Sequence, residues 1–253
     1  MEITFLGTGT SGGVPLIGCA CRVCQSTDPR DKRLRSSILL RDKDLTLTID
    51  CGPDFRQQML REKVDHLDAV IMTHQHKDHT GGIDDIRSLN FLSGKALDFY
   101  CDFPTELGIK KQYSYAFTET SYPYLPKMNF IRIQNSEFQI QHLKILPIEV
   151  MHATMPVLGF RFGDFTYITD AKTISKEERN KIRGSKLLVL NALRSEPHYS
   201  HLSVSEAMEV IEDVNPEQTY LVHMSHQFGL YEEMEKQLPP QVKIAYDGLK
   251  ICA

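Results

Sequence analysis

Apolar and polar positions along the chain follow two periods, and each change of period marks a change of element. Residues 3–6, 36–41 and 45–49 carry the short apolar runs of strands, and Pro53 opens a helix that reaches about residue 61. Residues 69–72 are an unbroken apolar run, as expected of a strand buried on both faces. Thr80-Gly81-Gly82 then leads into a helix ending near residue 92, and residues 97–100 form another strand. Several strands follow between 129 and 169, with Gly163-Asp164 turning a hairpin between 157–162 and 165–169. Two helices start at capping-box sequences, Ser175-Lys176-Glu177-Glu178 and Ser203-Val204-Ser205-Glu206, each followed by a strand, at 187–190 and 219–222. Strand-rich halves that each acquire helices predict an α/β (α+β) chain, two sheets face to face with helices outside.

Composition narrows this picture. A chain of 253 residues with 41% hydrophobic and 25% charged side chains buries one substantial core, so 1–253 reads as a single domain without linker or repeat. A net charge of −4 and the lack of any lysine or arginine run argue against a nucleic-acid partner and leave only small phosphate-bearing substrates in play. Glu2 and an early glycine turn occupy the place where a leader needs basic residues and a long apolar stretch, and no stretch approaches a membrane span; the expected compartment is the cytoplasm.

The chemistry concentrates in His74-Gln75-His76-Lys77-Asp78-His79, directly after the buried-type strand and before a glycine pair. Alternate residues of an extended segment point the same way, so His74 and His76 converge on one ion while Asp78 and His79 reach a second. Imidazole suits zinc, manganese or iron, and the carboxylate adds an oxygen donor that hard divalent cations favour. The alternative is a solvated polar loop with coincidental histidines. Three further candidates stand at strand ends: His152 after 145–150, Asp170 after 165–169 and His223 after 219–222. Singly, each reads equally well as a polar residue at a turn. Together they would meet along one sheet edge, with Asp170 able to bridge two ions.

The run Thr73 to His79, followed in order by His152, Asp170 and His223, resembles the metallo-β-lactamase superfamily over nearly the whole chain. The resemblance implies a four-layer αββα sandwich. It also implies a first divalent metal at His74, His76 and His152, a second at Asp78, His79 and His223, and Asp170 bridging. Zinc β-lactamases commonly place a cysteine where this sequence offers Asp170, a departure that favours phosphoester or thioester hydrolysis over antibiotic cleavage.

A second constellation is Cys19-Ala20-Cys21-Arg22-Val23-Cys24, three thiols that lack one ligand for a tetrahedral structural zinc. His226, three residues past His223, is the expected fourth, so that one turn serves both sites. A redox pair, Cys21 and Cys24, is the competing reading, without the βαβ context such pairs have. Cys51, Cys101 and Cys252 read as packing residues. The thiol loop joined to a histidine beyond the last catalytic ligand is similar to the cyclic phosphodiesterases of the phosphonate-degrading carbon-phosphorus lyase pathway. It is also similar to a protein of pyrroloquinoline quinone biosynthesis, whose catalytic ligand set is altered.

The first of these resemblances implies hydrolysis of a small cyclic phosphodiester, of the phosphoribosyl cyclic phosphate or cyclic nucleotide type, with His201 and Asp78 as catalytic residues. His201 is the general acid in that reading, and His198 is the nearby alternative. Arg194 reads either as a contact to a second substrate phosphate or as a solvated arginine. The glycine-rich stretch 7–13 resembles a phosphate-cradling loop, though it serves equally to turn the chain toward the thiols. The segment 112–127, with Tyr113, Tyr115, Phe117, Tyr122 and Tyr124, reads as a lid, a homodimer contact or a loop packed on its own domain. Two other functions share parts of the pattern: a tRNA 3′-end processing nuclease, which is expected to carry an extended basic arm, and a non-catalytic carrier.

Overall fold

The computed structural model describes residues 1–118, 122 and 124–253, so residues 119–121 and Pro123 of the aromatic segment lie outside the described residues. The first sheet takes β1 (Glu2–Gly7), β2 (Ser37–Asp42), β3 (Leu45–Ile49), β4 (Ala69–Ile71), β5 (Leu97–Cys101) and β6 (Met128–Arg132) in sequential order. The second takes β7 (Phe138–Ile140), β8 (Leu143–His152), β9 (Met155–Phe162), β10 (Phe165–Ile168), β11 (Leu187–Asn191), β12 (Gln218–Val222) and β13 (Val242–Ile244), also in order. The chain returns in β14 (Lys250–Cys252), which pairs antiparallel with β1.

Each sheet starts antiparallel and turns parallel, the change falling at β3–β4 in one and β10–β11 in the other. Parallel neighbours need crossovers rather than tight turns, and the helices lie in them. A short α1 (Arg22–Gln25) sits in the β1–β2 connection. Then α2 (Phe55–Arg61), α3 (Lys77–Thr80), α4 (Arg87–Ser93) and α5 (Phe103–Gln112) belong to the first sheet, and α6 (Lys176–Ile182), α7 (Val204–Val214) and α8 (Tyr231–Glu235) to the second.

Period-2 alternation sorts the strand side chains into layers. Ile3, Phe5, Ile38 and Leu47 meet Phe160, Tyr167 and Val189 in one buried cluster, the seam between the sheets. Leu6, Leu39, Val70 and Met72 face outward onto Phe55 and Ile109 of the first helical layer. Leu188, Leu190 and Leu221 do the same toward Ile182, Val210 and Met234. The result is the αββα sandwich expected above.

Local differences have physical causes. The helix expected after Thr80-Gly81-Gly82 and ending near residue 92 is split into a 3₁₀ turn at Ile83–Ile86 and α4, while α3 is a separate turn before the glycines. The capping box at Ser203 is complete, but at Ser175 only the serine half forms, because the Glu178 carboxylate is taken by the Glu149 amide and Lys181. Helix α5 has no apolar stripe to announce it, since only Thr105, Glu106 and Ile109 are buried along it. Among the described residues no helix is long and apolar enough to cross a membrane.

The histidine loop is locked against the end of β3. Cys51 N donates to His79 O at 2.8 Å and Gly82 N donates to Cys51 O at 2.9 Å. A Cβ on Gly52 would lie 2.1 Å from Asp78 O, and one on Gly82 would lie 2.0 Å from Gly52 O, so only glycine permits this approach. Gly52→Ala is therefore expected to lower stability by about 1–3 kcal/mol, the range for forced overpacking. An unchanged urea midpoint would contradict the lock.

Candidate metal centre

Strands running the same way end at the same edge, and ligand sites of α/β sheets form there. Asp50 follows β3, Thr73 to His79 follow β4, His152 closes β8, Asp170 lies just past β10 and His223 follows β12. Asp50, Asp170 and His223 leave their strands with φ of +66°, +59° and +60°. That left-handed backbone costs a non-glycine residue roughly 1–3 kcal/mol and tends to persist where function requires it.

The side chains converge on Asp170. Its Oδ2 is 3.2 Å from His79 Nε2, and its Oδ1 is 3.3 Å from His223 Nε2 and 3.7 Å from His201 Nδ1. Donor atoms gather within 4.8 Å of one another in three groups: His74 with His79 and Asp170, Asp78 with Asp170 and His223, and His152 with Asp170 and His201. The His76 ring is 4.7 Å from that of His74 and 5.2 Å from that of His152, at the more open side of the cluster. The structure thus places six of the seven donors expected of the two metals, His74, Asp78, His79, His152, Asp170 and His223, in these groups, adds His201 to them, and sets the His76 ring beside them. The cluster opens into a cavity of about 490 Å³.

The donors fit divalent cations. His79 Nδ1 donates to Asp50 Oδ2 at 2.6 Å, and His74 Nδ1 donates to Thr73 Oγ1 at 2.9 Å, which itself donates to Asp50. Protons fixed on Nδ1 leave the Nε2 positions to a metal, and the Nε2 atoms of both rings are buried with no hydrogen-bond partner among the described residues. His152 follows the same rule, with Nδ1 donating to Ser200 O at 2.8 Å.

Charge points the same way. Burial pushes the Asp170 carboxyl up, but His223 and His79 outweigh it and hold it well below the usual carboxylate range. Burial likewise opposes ionisation of Asp78, and His79 overrides it. His74, by contrast, is driven by burial well below its ordinary value and stays neutral, as a ligand must. Against burial, Asp170, Asp78 and Asp50 in turn raise His79 well above its ordinary value, so its imidazolium balances the carboxylates until a cation takes its place.

Asp50 was not anticipated. It is fully buried and accepts from Thr73 N at 2.9 Å, from Thr73 Oγ1 and from His79, so it orients two candidate ligands without being one. The available signal was its position, a polar residue directly after an apolar strand, like the three that were singled out.

The thiols converge as well. Cys19 Sγ and Cys21 Sγ lie 3.3 and 3.4 Å from His226 Nδ1, and Cys24 completes the group. A hydrogen bond from the Cys24 amide, then His226, lower the Cys21 thiol to about 6, while burial raises Cys24 to about 11. Three sulfurs and an imidazole within 4.8 Å fit a tetrahedral zinc. His223 and His226 face different clusters from one turn.

Arg194 and His198 line the cavity wall. None of the described residues of 112–127 does. Instead Tyr113 OH donates to Thr80 O, and Tyr124 borders a separate cleft beside Phe91 and Leu92.

The family model described as beta-lactamase superfamily domain matches residues 46–224. The chain belongs to that superfamily. Its structure is similar to the crystal structure of a diphosphatase from the PhnP family, with a TM-score of 0.93 and 36% identity, covering 100% of this chain and 97% of that one. It is 38% identical over 253 residues to a Porphyromonas gingivalis protein named octanoyltransferase, covering 99% of this chain and 51% of that protein. It is 26% identical over 212 residues to a ribonuclease Z of Synechocystis, covering 74% of this chain and 60% of that enzyme. The chain therefore spans about half to three fifths of the length of these two relatives. As a metallo-β-lactamase fold protein close to the PhnP family, it has the fold of divalent-metal hydrolases, and its histidine and aspartate clusters suit that chemistry.

Two outcomes follow from this geometry. Asp50→Asn is expected to weaken metal retention at the histidine cluster about 10–100-fold, as loss of an orienting carboxylate does, in a competition titration with a chelating dye; unchanged affinity would remove Asp50 from that role. Cys21→Ser is expected to lower the melting temperature and to release one zinc by metal analysis, and melting equal to that of the parent would count against a structural ion.

Proposed function

We propose that this protein is a metal-dependent phosphodiesterase that hydrolyses a small phosphodiester of the cyclic phosphate type. The observation that carries this reading is the Asp170-centred cluster with His201 against it at the floor of a cavity of small-molecule size. His74, His76 and His152 would hold one divalent cation, Asp78, His79 and His223 a second, with Asp170 between. Such cations, of zinc, manganese or iron, offset the charge of a phosphodiester and acidify water. A structural zinc at Cys19, Cys21, Cys24 and His226 belongs to the same reading.

The chain's own groups handle the leaving alcohol and the rest of the substrate. Burial and then His223 lower the His201 imidazole to about 3, so it rests neutral, with a buried Nδ1 that has no hydrogen-bond partner among the described residues. An anionic phosphate beside the ring stabilises its protonated form, and the departing alkoxide can then take that proton. Arg194 is held by neutral acceptors, Gln227 Oε1 and the carbonyls of Glu196 and Pro197, and among the described residues it has no carboxylate partner. Its charge is left to a second anionic group of the substrate.

The similarity to a diphosphatase and to a ribonuclease Z supports chemistry at phosphorus. The P. gingivalis octanoyltransferase has about as much sequence again outside the match, so acyl transfer by that longer protein carries no assignment here. The reading is tested with the metal-loaded protein on cyclic and linear phosphodiesters, a thioester and a β-lactam, and preference for either of the last two would overturn it. His76→Ala is expected to abolish turnover with little loss of fold. His201→Ala is expected to slow kcat about 10²-fold or more for poor leaving groups and far less for p-nitrophenolate, and a loss independent of leaving group would take the proton-donor role from His201.

A further inference from the structure

From His201 two further rings, which the proposed chemistry leaves unused, follow along the wall of the cavity. His201 stacks on His198 with centroids 5.3 Å apart and planes inclined by 28°, and His198 in turn meets Tyr199 at 4.7 Å and 38°. The middle ring is fixed, since its Nδ1 accepts from Ser200 Oγ at 3.1 Å and from Ser200 N at 3.3 Å. Tyr199 borders the cavity yet is 78% exposed, between neighbours that are partly or fully buried. An aromatic ring braced from behind and wet in front is a stacking platform, because a planar group laid on it removes apolar surface of both from water.

The row also has a direction. It starts at His201, the group assigned to the leaving alcohol, and runs outward to Tyr199. A leaving group that departs toward His201 has His198 and Tyr199 beside it on the same cavity wall, so a planar group carried by the alcohol can meet the Tyr199 ring.

Resting on the phosphodiesterase reading, we infer that Tyr199 is a specificity-determining residue that selects esters whose alcohol carries a planar aromatic group, a nucleoside ahead of a bare sugar. The test compares uridine 2′,3′-cyclic phosphate with ribose 2,3-cyclic phosphate, which share the scissile bond and the sugar and differ in the base. The metal-loaded parent is expected to show a KM about tenfold lower for the nucleoside ester, in line with stacking measured by alanine substitution. Tyr199→Ala is expected to raise that KM about tenfold with kcat unchanged, leaving the base-free ester as it was, and Tyr199→Phe to behave as the parent. Equal KM values for the two esters, or an equal effect of Tyr199→Ala on both, would overturn the inference while leaving the phosphodiesterase reading intact. Hydrolysis of neither ester would overturn the reading itself, and the inference with it.

Discussion

A carboxylate sealed from water must be matched by positive charge, and Asp170 is such a group. It is 2% exposed, holds its charge against burial and lies against imidazoles from the segments that follow β4 and β12. Isolated charges in a protein interior are too costly to persist, so the two sheets can close around Asp170 only if cations, or protonated histidines in their place, close with it. The seam between the sheets and the donor cluster at its edge are therefore one problem with one solution. Thr73 shows the join directly: it supports His74 and Asp50 through its side chain, while its carbonyl accepts from Leu158 of the opposite sheet at 3.1 Å.

Rigid strands supply the precision that such a cluster needs. Three of its residues accept a left-handed backbone at the strand end, and Gly52 and Gly82 let the histidine loop come closer than any side chain would allow. The surroundings hold these conformations in place, since amides of Cys51, Thr73 and Gly82 are all hydrogen-bonded within the same few residues. Left-handed backbone at two donors, Asp170 and His223, and at Asp50 behind them belongs to a site that is built before its ligands arrive.

Much of this was legible from residue order because the clearest signals are local. The run from His74 to His79 compresses four donors into one strand end, and the apolar run before it places that end on a buried platform. The two-sheet sandwich followed from period-2 runs interleaved with capped helices. Asp50 escaped notice because a single aspartate after a strand looks like a turn residue, and its partners Thr73 and His79 lie more than twenty positions away. Helix α5 escaped because it buries few side chains, so its pattern has no preferred face. In the sequence Tyr199 is one aromatic in a polar loop, and only the fold sets it against His198 and so beside His201.

The turn from His223 to His226 has a further consequence for how the molecule is made. Its two histidines belong to clusters whose other members come from near the start and the middle of the chain, with Cys19 lying 207 positions before His226. A ribosome working from the amino end therefore exposes thiols and imidazoles long before the residues that complete either set. Until synthesis passes this turn neither donor set is complete, and the final segment acts as a clasp that completes both at once.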